Sequence, residues 1–535
     1  AAAWIATAAH GAESEVRGTW LTTTGPNHIL SGLNTPTVMA DLRAIGLNTV
    51  YVETWKNGYT NYPSARLAQI TGGVDRNPSI GTTRDLVQET LIHAHRNQMA
   101  YFGWFEYGFA AQFVGAGGAP TNPLALYMRD RGWLLQNQAG QYADSSNGFA
   151  WMNPAVPEVR QLLIDLVLEA VDRYDLDGIQ FDDRLAWPVQ FGFDATTLAM
   201  YTAETGRPAP SSPTNSQFSQ WRRGKVTEFA AQLYSAVKEA RPDLHVSVSP
   251  SVTTFSSTSY NADWPSWQSQ GLFDEYAVQA YRANISSFNS IINAQTQPFK
   301  PDELERLVVG LRINGSGAAT PYADLAQMIQ RTRQEGAAGH SLWYSSGVRD
   351  LYGPQLAALY DVAGQGHAPQ PMFPADHRRP PLVALPVPGQ PGAWSVVVEE
   401  AGVYRVVAKV GSYWTEVESL LLDSGPQQIV ASGASELELL NDRRPGPGPG
   451  DFNGDGIVDG ADLVIWQAKF GQSGLGDADG DGFVDGRDFL IWQRNLRLSG
   501  AVVAPAAVVP EPSAATLWAA TLSVLVATNR GRVGR

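Results

Sequence analysis

Between residues 15 and 362, short apolar runs alternate with stretches of helical periodicity, and this alternation constrains the fold more than anything else in the chain. Eight runs read as strands: Val16–Thr22, Asn48–Thr54, Ala100–Glu106, Gly178–Asp182, His245–Ser249, Glu275–Tyr281, Arg306–Ile313 and His340–Tyr344. Helical patterns fall between them at Thr35–Ile45, Thr83–Asn97, Pro157–Tyr174, Gln217–Ala240, Ile285–Gln295 and Pro321–Gln334. Strands that alternate with helices form parallel sheets, because a parallel connection needs a crossover. Eight such units in about 350 residues have the size of a (β/α)8 TIM barrel with long loops. An open doubly wound sheet is the competitor, but no Gly-x-Gly-x-x-Gly follows the first run.

The fourth run is the most informative. Tyr174-Asp-Leu-Asp-Gly178 ends a helix pattern in a turn, with Gly178 as its permissive residue, and Ile179-Gln-Phe181 then stops on Asp182-Asp183-Arg184. Carboxylates at the C-terminal end of a barrel strand stand where barrel active sites are built. The competing reading is a loop cap or an ion pair with Arg184. Four acids fall near strand C-terminal ends: Glu53, Glu106, Asp182 and Asp183. Alternation along a strand sorts them. Gln180 and Asp182 share one face, which favours Asp182 for the lumen, and Phe102, Trp104 and Glu106 share another. The alternative role for Glu53 and Glu106 is a salt bridge with Arg17 or Arg312. Asp274 and Glu275 begin their strand, the wrong end for chemistry, and that strand ends in Gln279 and Tyr281. Two long loops, 107–156 and 184–216, carry Tyr127, Trp133, Trp151, Trp187 and Phe191 and are expected to wall a cleft. His93 and His95 lie two apart on a helix and do not share a face, so they read as packing or surface residues.

The rest of the chain divides further. Residues 1–14 read as a signal-peptide remnant with a cleavage site near Ala9-His10-Gly11, and 15–363 as the barrel. A Pro/Gly-rich linker follows at 364–392. Residues 393–444 form a small β-sandwich-like domain with runs at Trp394–Val398, Val403–Val410, Trp414–Leu422 and Gln427–Val430, and 445–450 is a Pro/Gly linker. Residues 451–498 hold a repeat of 26 residues, Asp451-Phe-Asn-Gly-Asp-Gly-Ile-Val-Asp-Gly-Ala-Asp462 and Asp477-Ala-Asp-Gly-Asp-Gly-Phe-Val-Asp-Gly-Arg-Asp488, each copy running into a helix. Oxygen ligands at loop positions 1, 3, 5, 9 and 12 with glycine at 6 match an EF-hand Ca²⁺ loop, Asp replacing the usual Glu at the last position. The ligand set is Asp451, Asn453, Asp455, Asp459 and Asp462, then Asp477, Asp479, Asp481, Asp485 and Asp488, with the Ile457 and Phe483 carbonyls at position 7. Two structural Ca²⁺ ions are therefore expected, and no cofactor for catalysis.

The net charge of −14 argues against a nucleic-acid partner. Without cysteine, disulfides and thiolate metal sites are excluded. No His-Glu-x-x-His, P-loop or Gly-x-Ser-x-Gly arrangement occurs in the barrel. A metal-dependent deacetylase would need a His/Asp cluster on the barrel strands, which the sequence lacks.

Three resemblances follow from these residues. Val16-Arg-Gly-Thr-Trp20, Asn48-Thr-Val-Tyr-Val-Glu53, Asp177-Gly-Ile-Gln-Phe-Asp-Asp183 and Phe273-Asp-Glu-Tyr-Ala-Val-Gln-Ala-Tyr281, in that order and spacing, resemble the glycosyl hydrolase-like 10 family. That resemblance implies a TIM barrel acting on glycans, some members being linked to peptidoglycan strands. The repeat resembles a type I dockerin, which implies a cohesin-like partner. The segment 508–535, with Val509-Pro-Glu-Pro-Ser513, an apolar run and Arg530, Arg532 and Arg535, resembles a PEP-CTERM sorting signal. It implies an envelope sorting protease and export to the cell envelope or beyond.

The expected activity is hydrolysis of glycosidic bonds in a polysaccharide or peptidoglycan strand. Asp182 is the expected nucleophile or electrostatic stabiliser and Glu106 the acid/base, with Glu53 in reserve for the latter role. Arg17, Trp104, Asp183, Gln279, Tyr281 and Trp343 are the expected substrate contacts. The alternative is a non-catalytic glycan-binding protein held at the cell surface by its repeat module and tail.

Overall fold

The computed structural model describes residues 13–25, 28–315, 317–374, 377–422, 424–444, 450–452, 458–471, 476, 478 and 483–496. The readings of residues 1–12, the linker 445–449 and the tail 508–535 lie outside the described residues. The chain divides into two units, 1–446 and 447–535.

In the first unit, eight parallel strands close into a barrel: β1 (Val16–Leu21), β2 (Thr49–Glu53), β3 (Ala100–Phe105), β4 (Gly178–Asp182), β5 (His245–Ser249), β6 (Glu275–Gln279), β7 (Leu307–Arg312) and β8 (Gly339–Trp343). Each pairs with its sequence neighbours, and β1 closes on β8 with Val16 opposite Gly339. Alternating side chains serve two cores. Leu21, Val50, Val52, Ile179 and Phe181 face the surrounding helices, and Val16, Trp20, Tyr51, Phe102 and Trp104 fill the lumen. Gly178 is there for space and not for a turn: a Cβ on it would stand 2.3 Å from the Phe102 ring that fills the lumen beside it. The helical pattern expected over 285–295 is two short helices, Ile285–Asn289 and Ile292–Thr296.

The two long loops are ordered, but they fold inward. Ala110–Phe113 pairs antiparallel with Phe149–Trp151 across a connection that holds the helix Pro123–Asp130, and Trp151, Trp187 and Phe191 are fully buried. Most of the aromatics expected on a cleft wall thus complete the packing around the barrel, and only Tyr127 and Trp133 remain half-buried.

The stretch read as a linker carries contacts of its own. Phe373 packs on Phe102, His245 and His377 at the N-terminal end of the barrel, with ring centroids 6.2, 4.5 and 4.1 Å away. Seven strands follow: β9 (Leu382–Val383), β10 (Leu385–Pro386), β11 (Ala393–Val398), β12 (Gly402–Val410), β13 (Tyr413–Leu422), β14 (Gly425–Val430) and β15 (Glu436–Asn441). They form two antiparallel sheets, β9-β15-β12-β13 and β10-β11-β14, which share a core of Trp394, Val396, Val406, Ile429 and Leu439.

These sheets are tied to the barrel by a buried ionic network at the start of β4. Arg378 donates to Asp177 at 2.8 and 2.5 Å and to Asp175 at 2.6 Å. Asp177 also accepts from the Tyr101 amide at 2.6 Å and His377 Nε2 at 2.5 Å. His95 is not a surface residue. Its Nε2 lies 3.0 Å from Asp177 and its Nδ1 2.5 Å from Arg405 Nη2 on β12. An acceptor at Nδ1 and a donor at Nε2 describe a neutral ring, and burial lowers the His95 pKa to about 4.

In the second unit, the helices Gly460–Lys469 and Gly486–Asn495 pack over Phe452, Val458 and Trp492. No helix among the described residues is long and apolar enough to cross a membrane.

Candidate active site

The C-terminal mouth of the barrel gathers acids from three strands around two cations. Glu53 ends β2, Glu106 follows β3, Asp182 ends β4 and Asp183 follows it. The first cation is Lys56. It sits on a hairpin, Trp55–Lys56 against Tyr59–Thr60, turned by Asn57 (φ 53°) and Gly58 (φ 79°). Asn-Gly is the residue pair that a tight two-residue hairpin turn selects, since both positions need positive φ. The hairpin returns Lys56 to Glu53, so that Nζ lies 2.6 Å from Glu53 Oε2 and 2.9 Å from Glu106 Oε2. The second cation is Arg184, whose Nη1 is 3.1 Å from Asp182 Oδ2, 3.6 Å from Asp183 Oδ1 and 4.0 Å from Glu106 Oε1. Gly108 lets the backbone after β3 pass close to this arginine, for a Cβ there would stand 2.5 Å from the Arg184 carbonyl oxygen.

The acids differ in what holds them. Glu53 is sealed from solvent. It accepts from the Thr22 and Thr23 hydroxyls, from the Thr23 amide at 3.0 Å and from Lys56. Burial alone would push its carboxyl up, but Lys56 and the threonines outweigh it and hold Glu53 below the usual range. Asp182 accepts from Gln279 Nε2 and the Asp183 amide, both at 2.5 Å and both on Oδ1, while Oδ2 faces Arg184. Burial, then Asp183, push its carboxyl well up against the pull of Arg184. Glu106 is pushed up by burial and by Glu53, against the pull of Lys56 and Arg184. Among the described residues no hydrogen bond reaches its Oε1, which lies 4.0 Å from Arg184 Nη1. Four buried or half-buried carboxyl groups thus face two cations, a deficit that favours keeping a proton in the cluster.

Of the expected substrate contacts, Trp343, Tyr281 and Asp183 are half-buried at the mouth. Trp343 packs on Trp20, Trp104 and Tyr281 with centroids 6.0, 5.8 and 6.0 Å away. Trp104 is only 1% exposed and supports Trp343 from within the lumen. Gln279 is engaged with Asp182 and the Ser249 carbonyl, and Ser251 donates to Asp183 at 3.0 Å. Arg17 does not join them. It starts β1 at the opposite end of the barrel, faces outward by alternation, pairs with Glu15 at 2.8 Å and covers the Tyr360 ring. Nor do Arg17 or Arg312 supply the ion pair weighed for the two glutamates, for that cation is Lys56. Lys56 is the residue the sequence reading passed over, and its signal was the Asn-Gly pair next to it. Glu275 lies deep in the lumen, where it accepts from Ser247 and Tyr51 and burial pushes it up to about 7.

Among the described residues no group of three or more His, Asp or Glu side chains is arranged to hold a metal ion. Of the expected Ca²⁺ ligands, Asn453, Asp455, Ile457, Asp477, Asp479 and Asp481 lie outside the described residues. The others show a matched pair of loops. Asp462 accepts from the amides of Phe452 and Asp459 at 2.7 and 2.8 Å, and Asp488 from those of Ala478 and Asp485 at 2.6 and 2.7 Å. Trp466 donates to the Asp485 carbonyl and Trp492 to the Asp459 carbonyl. Each helix tryptophan thus bonds to the residue just before the other copy's helix, and the Asp462 and Asp488 carboxylates are buried. That oxygen-rich chemistry fits a hard divalent cation.

Among known proteins, the glycosyl hydrolase DigH of Escherichia coli K12 is 25% identical over 272 residues, 45% of this chain and 56% of its own length. The glycosyl hydrolase YngK of Bacillus subtilis 168 is 23% identical over 223 residues, 40% of this chain and 38% of its own length. The chain therefore spans little more than half the length of the first relative and under two fifths of the second. Among solved structures, the glycoside hydrolase domain of PgaB (BpsB) from Bordetella bronchiseptica aligns with a TM-score of 0.48 at 14% identity, over 65% of this chain and 98% of that one. The profile of one protein family, described as Glycosyl hydrolase-like 10, matches residues 15–321.

Proposed function

We propose that this chain, which belongs to the glycosyl hydrolase-like 10 family, hydrolyses glycosidic bonds in a polysaccharide or peptidoglycan strand with Asp182 and Glu106. The observation that carries the reading is the pair itself. Arg184 stands 3.1 Å from one carboxylate and 4.0 Å from the other, so the two oxygens are no more than about 7 Å apart, close enough for both carboxyl groups to serve one glycosidic bond. Both oxygens of Asp182 are occupied by donors, which suits a carboxylate that faces the anomeric carbon or orients water. Glu106 Oε1 is the oxygen left to carry a proton to the leaving group. Trp343 and Tyr281 offer ring faces to a sugar. The test is reducing-end release from a panel of peptidoglycan strands and plant and algal glycans, by wild type beside Asp182→Asn. Cleavage that needs Asp182 supports the proposal. Binding without cleavage across the panel overturns it in favour of a glycan-binding surface protein.

Two further readings accompany this one. The repeat is proposed to hold two Ca²⁺ ions through the ligand set above, and so to present a folded module to a cohesin-like partner. Chelator added to the full chain is expected to remove one thermal transition, that of residues 451–496, and to leave the barrel's in place. A thermogram unmoved by chelator and by Asp462→Ala with Asp488→Ala would count against the assignment. Export to the envelope is proposed on the strength of the tail motif at Val509–Ser513, and fractionation of cells that express the chain with and without residues 508–535 tests it.

A further inference from the structure

We infer that Lys56 and Glu53 act together as a positioning pair for Glu106. Lys56 fixes the Glu106 carboxylate in place, and Glu53 withholds part of the lysine's charge from it, so the two residues jointly set the pH at which Glu106 exchanges its proton. The inference rests on Glu106 as the proton donor of the proposed hydrolysis.

The geometry leaves Glu53 no direct part in catalysis. Its side chain is fully buried, and both oxygens are filled by Thr22, Thr23, Asn61 and Lys56. A glycan cannot reach it. Lys56 is as firmly placed, donating to Thr22 at 3.0 Å, Thr24 at 3.2 Å and Glu53 at 2.6 Å, with Glu106 Oε2 as an ion-pair partner at 2.9 Å. Three hydrogen bonds use all three donors of the ammonium, and the ion pair with Glu106 adds to its hold. Because Nζ bridges the two glutamates, their carboxylates lie at most about 5.5 Å apart, close enough for each to feel the other's charge. Lysine draws the proton off Glu106 and Glu53 holds it on. On the other side Glu106 faces Arg184, with Asp182 and Asp183 behind it, and Tyr107 follows it in the chain. Of these, Lys56→Met touches Tyr107, by removing the ammonium 5.9 Å from its ring.

The pair therefore makes two opposite predictions. Glu53→Gln keeps a hydrogen-bonding side chain for the threonines and frees the whole charge of Lys56 for Glu106. The Glu106 titration then moves down by about 1–2 pH units. Lys56→Met leaves two buried carboxylates facing each other and moves it up by a similar amount. The double variant removes both effects and falls between them, and it also serves if Lys56→Met alone does not fold. Two readouts are taken on the full chain: the alkaline limb of kcat/KM on a cleaved glycan, and the ¹³C shift of the Glu106 carboxyl, assigned by Glu106→Gln. Shifts of opposite sign in Glu53→Gln and in Lys56→Met, or a double variant that titrates above Glu53→Gln, support the device. Titrations that stay in place, or that move together, overturn it and leave an ion pair that only holds the fold. If wild type cleaves no glycan, the hydrolase reading fails by itself, and the carboxyl titration still decides on the pairing.

Discussion

Asparagine at position 182 is expected to lower kcat on a cleaved glycan by about 10²–10⁴-fold with little change in KM. The substitution keeps the shape of the side chain and its place between Gln279 and Arg184, so binding is retained and the charge is what is lost. Glu106→Gln should cause a comparable loss on natural glycans, but for another reason, and the leaving group separates the two. An aryl glycoside with an activated phenol departs without help from an acid, so Glu106→Gln recovers most of its activity on that substrate. Asp182→Asn does not, because nothing replaces the carboxylate at the anomeric carbon. Equal recovery by both variants would show that the roles are misassigned. The pH profile carries the same sign. Asp182 must be ionised, so activity falls as pH drops through a carboxyl that burial and Asp183 have pushed up. Glu106 must be protonated, so activity falls as pH rises through one that burial and Glu53 have pushed up. A bell displaced above the ordinary carboxylate range of about 4 is expected in kcat/KM.

The largest effect on stability is expected at the other end of the same strand. Arg378→Ala removes the guanidinium that neutralises Asp175 and Asp177, both sealed from solvent. Breaking a buried pair while leaving its partner in place costs about 3–5 kcal/mol, because an uncompensated charge stays in the interior. A midpoint lowered by several degrees is expected in thermal unfolding of the first unit, and a change of under a degree would contradict the network. Acid should mimic the mutation in two stages. Folded His95 takes up its proton only near pH 4, against about 6.5 unfolded, so native stability is lost as pH falls through that window. The charges on Arg378 and Arg405 outweigh burial and lower the Asp175 pKa to about 2, so its contribution is present above the unfolded value of about 3.9 and is lost only as pH falls on towards 2. Arg378→Ala should weaken the second stage by letting the Asp175 value rise.

The two expected results come from one stretch, Asp175 to Arg184, and they show how unevenly a sequence can be read. Alternation within Gly178–Asp182 pointed to Asp182 as the lumen-facing acid, and a strand's period of two is a local property that needs no partner. The same argument put Trp104 and Glu106 on one face. It could not tell that Trp104 is covered by Trp343, nor that Arg17 pairs with Glu15 over the Tyr360 ring, because Trp343 and Tyr360 come from elements far along the chain. Asp175 and Asp177 looked like turn residues, since their partners Arg378 and Arg405 lie in a segment read as a linker and in a separate sheet.

What the sequence determined by itself is the periodic part: eight parallel strands, their order, the helices between them, the paired acidic loops and the acids that end the strands. Hydrophobic spacing and turn chemistry act over a few residues and are written in the chain. Only the tertiary structure decided which acids meet. Glu106 came to face Asp182 across Arg184, and Glu53 was taken out of reach of a substrate by Lys56 and two threonines. Those outcomes depend on barrel closure, which brings separate strand ends to one mouth, and on burial, which makes each charge answer to the nearest opposite one.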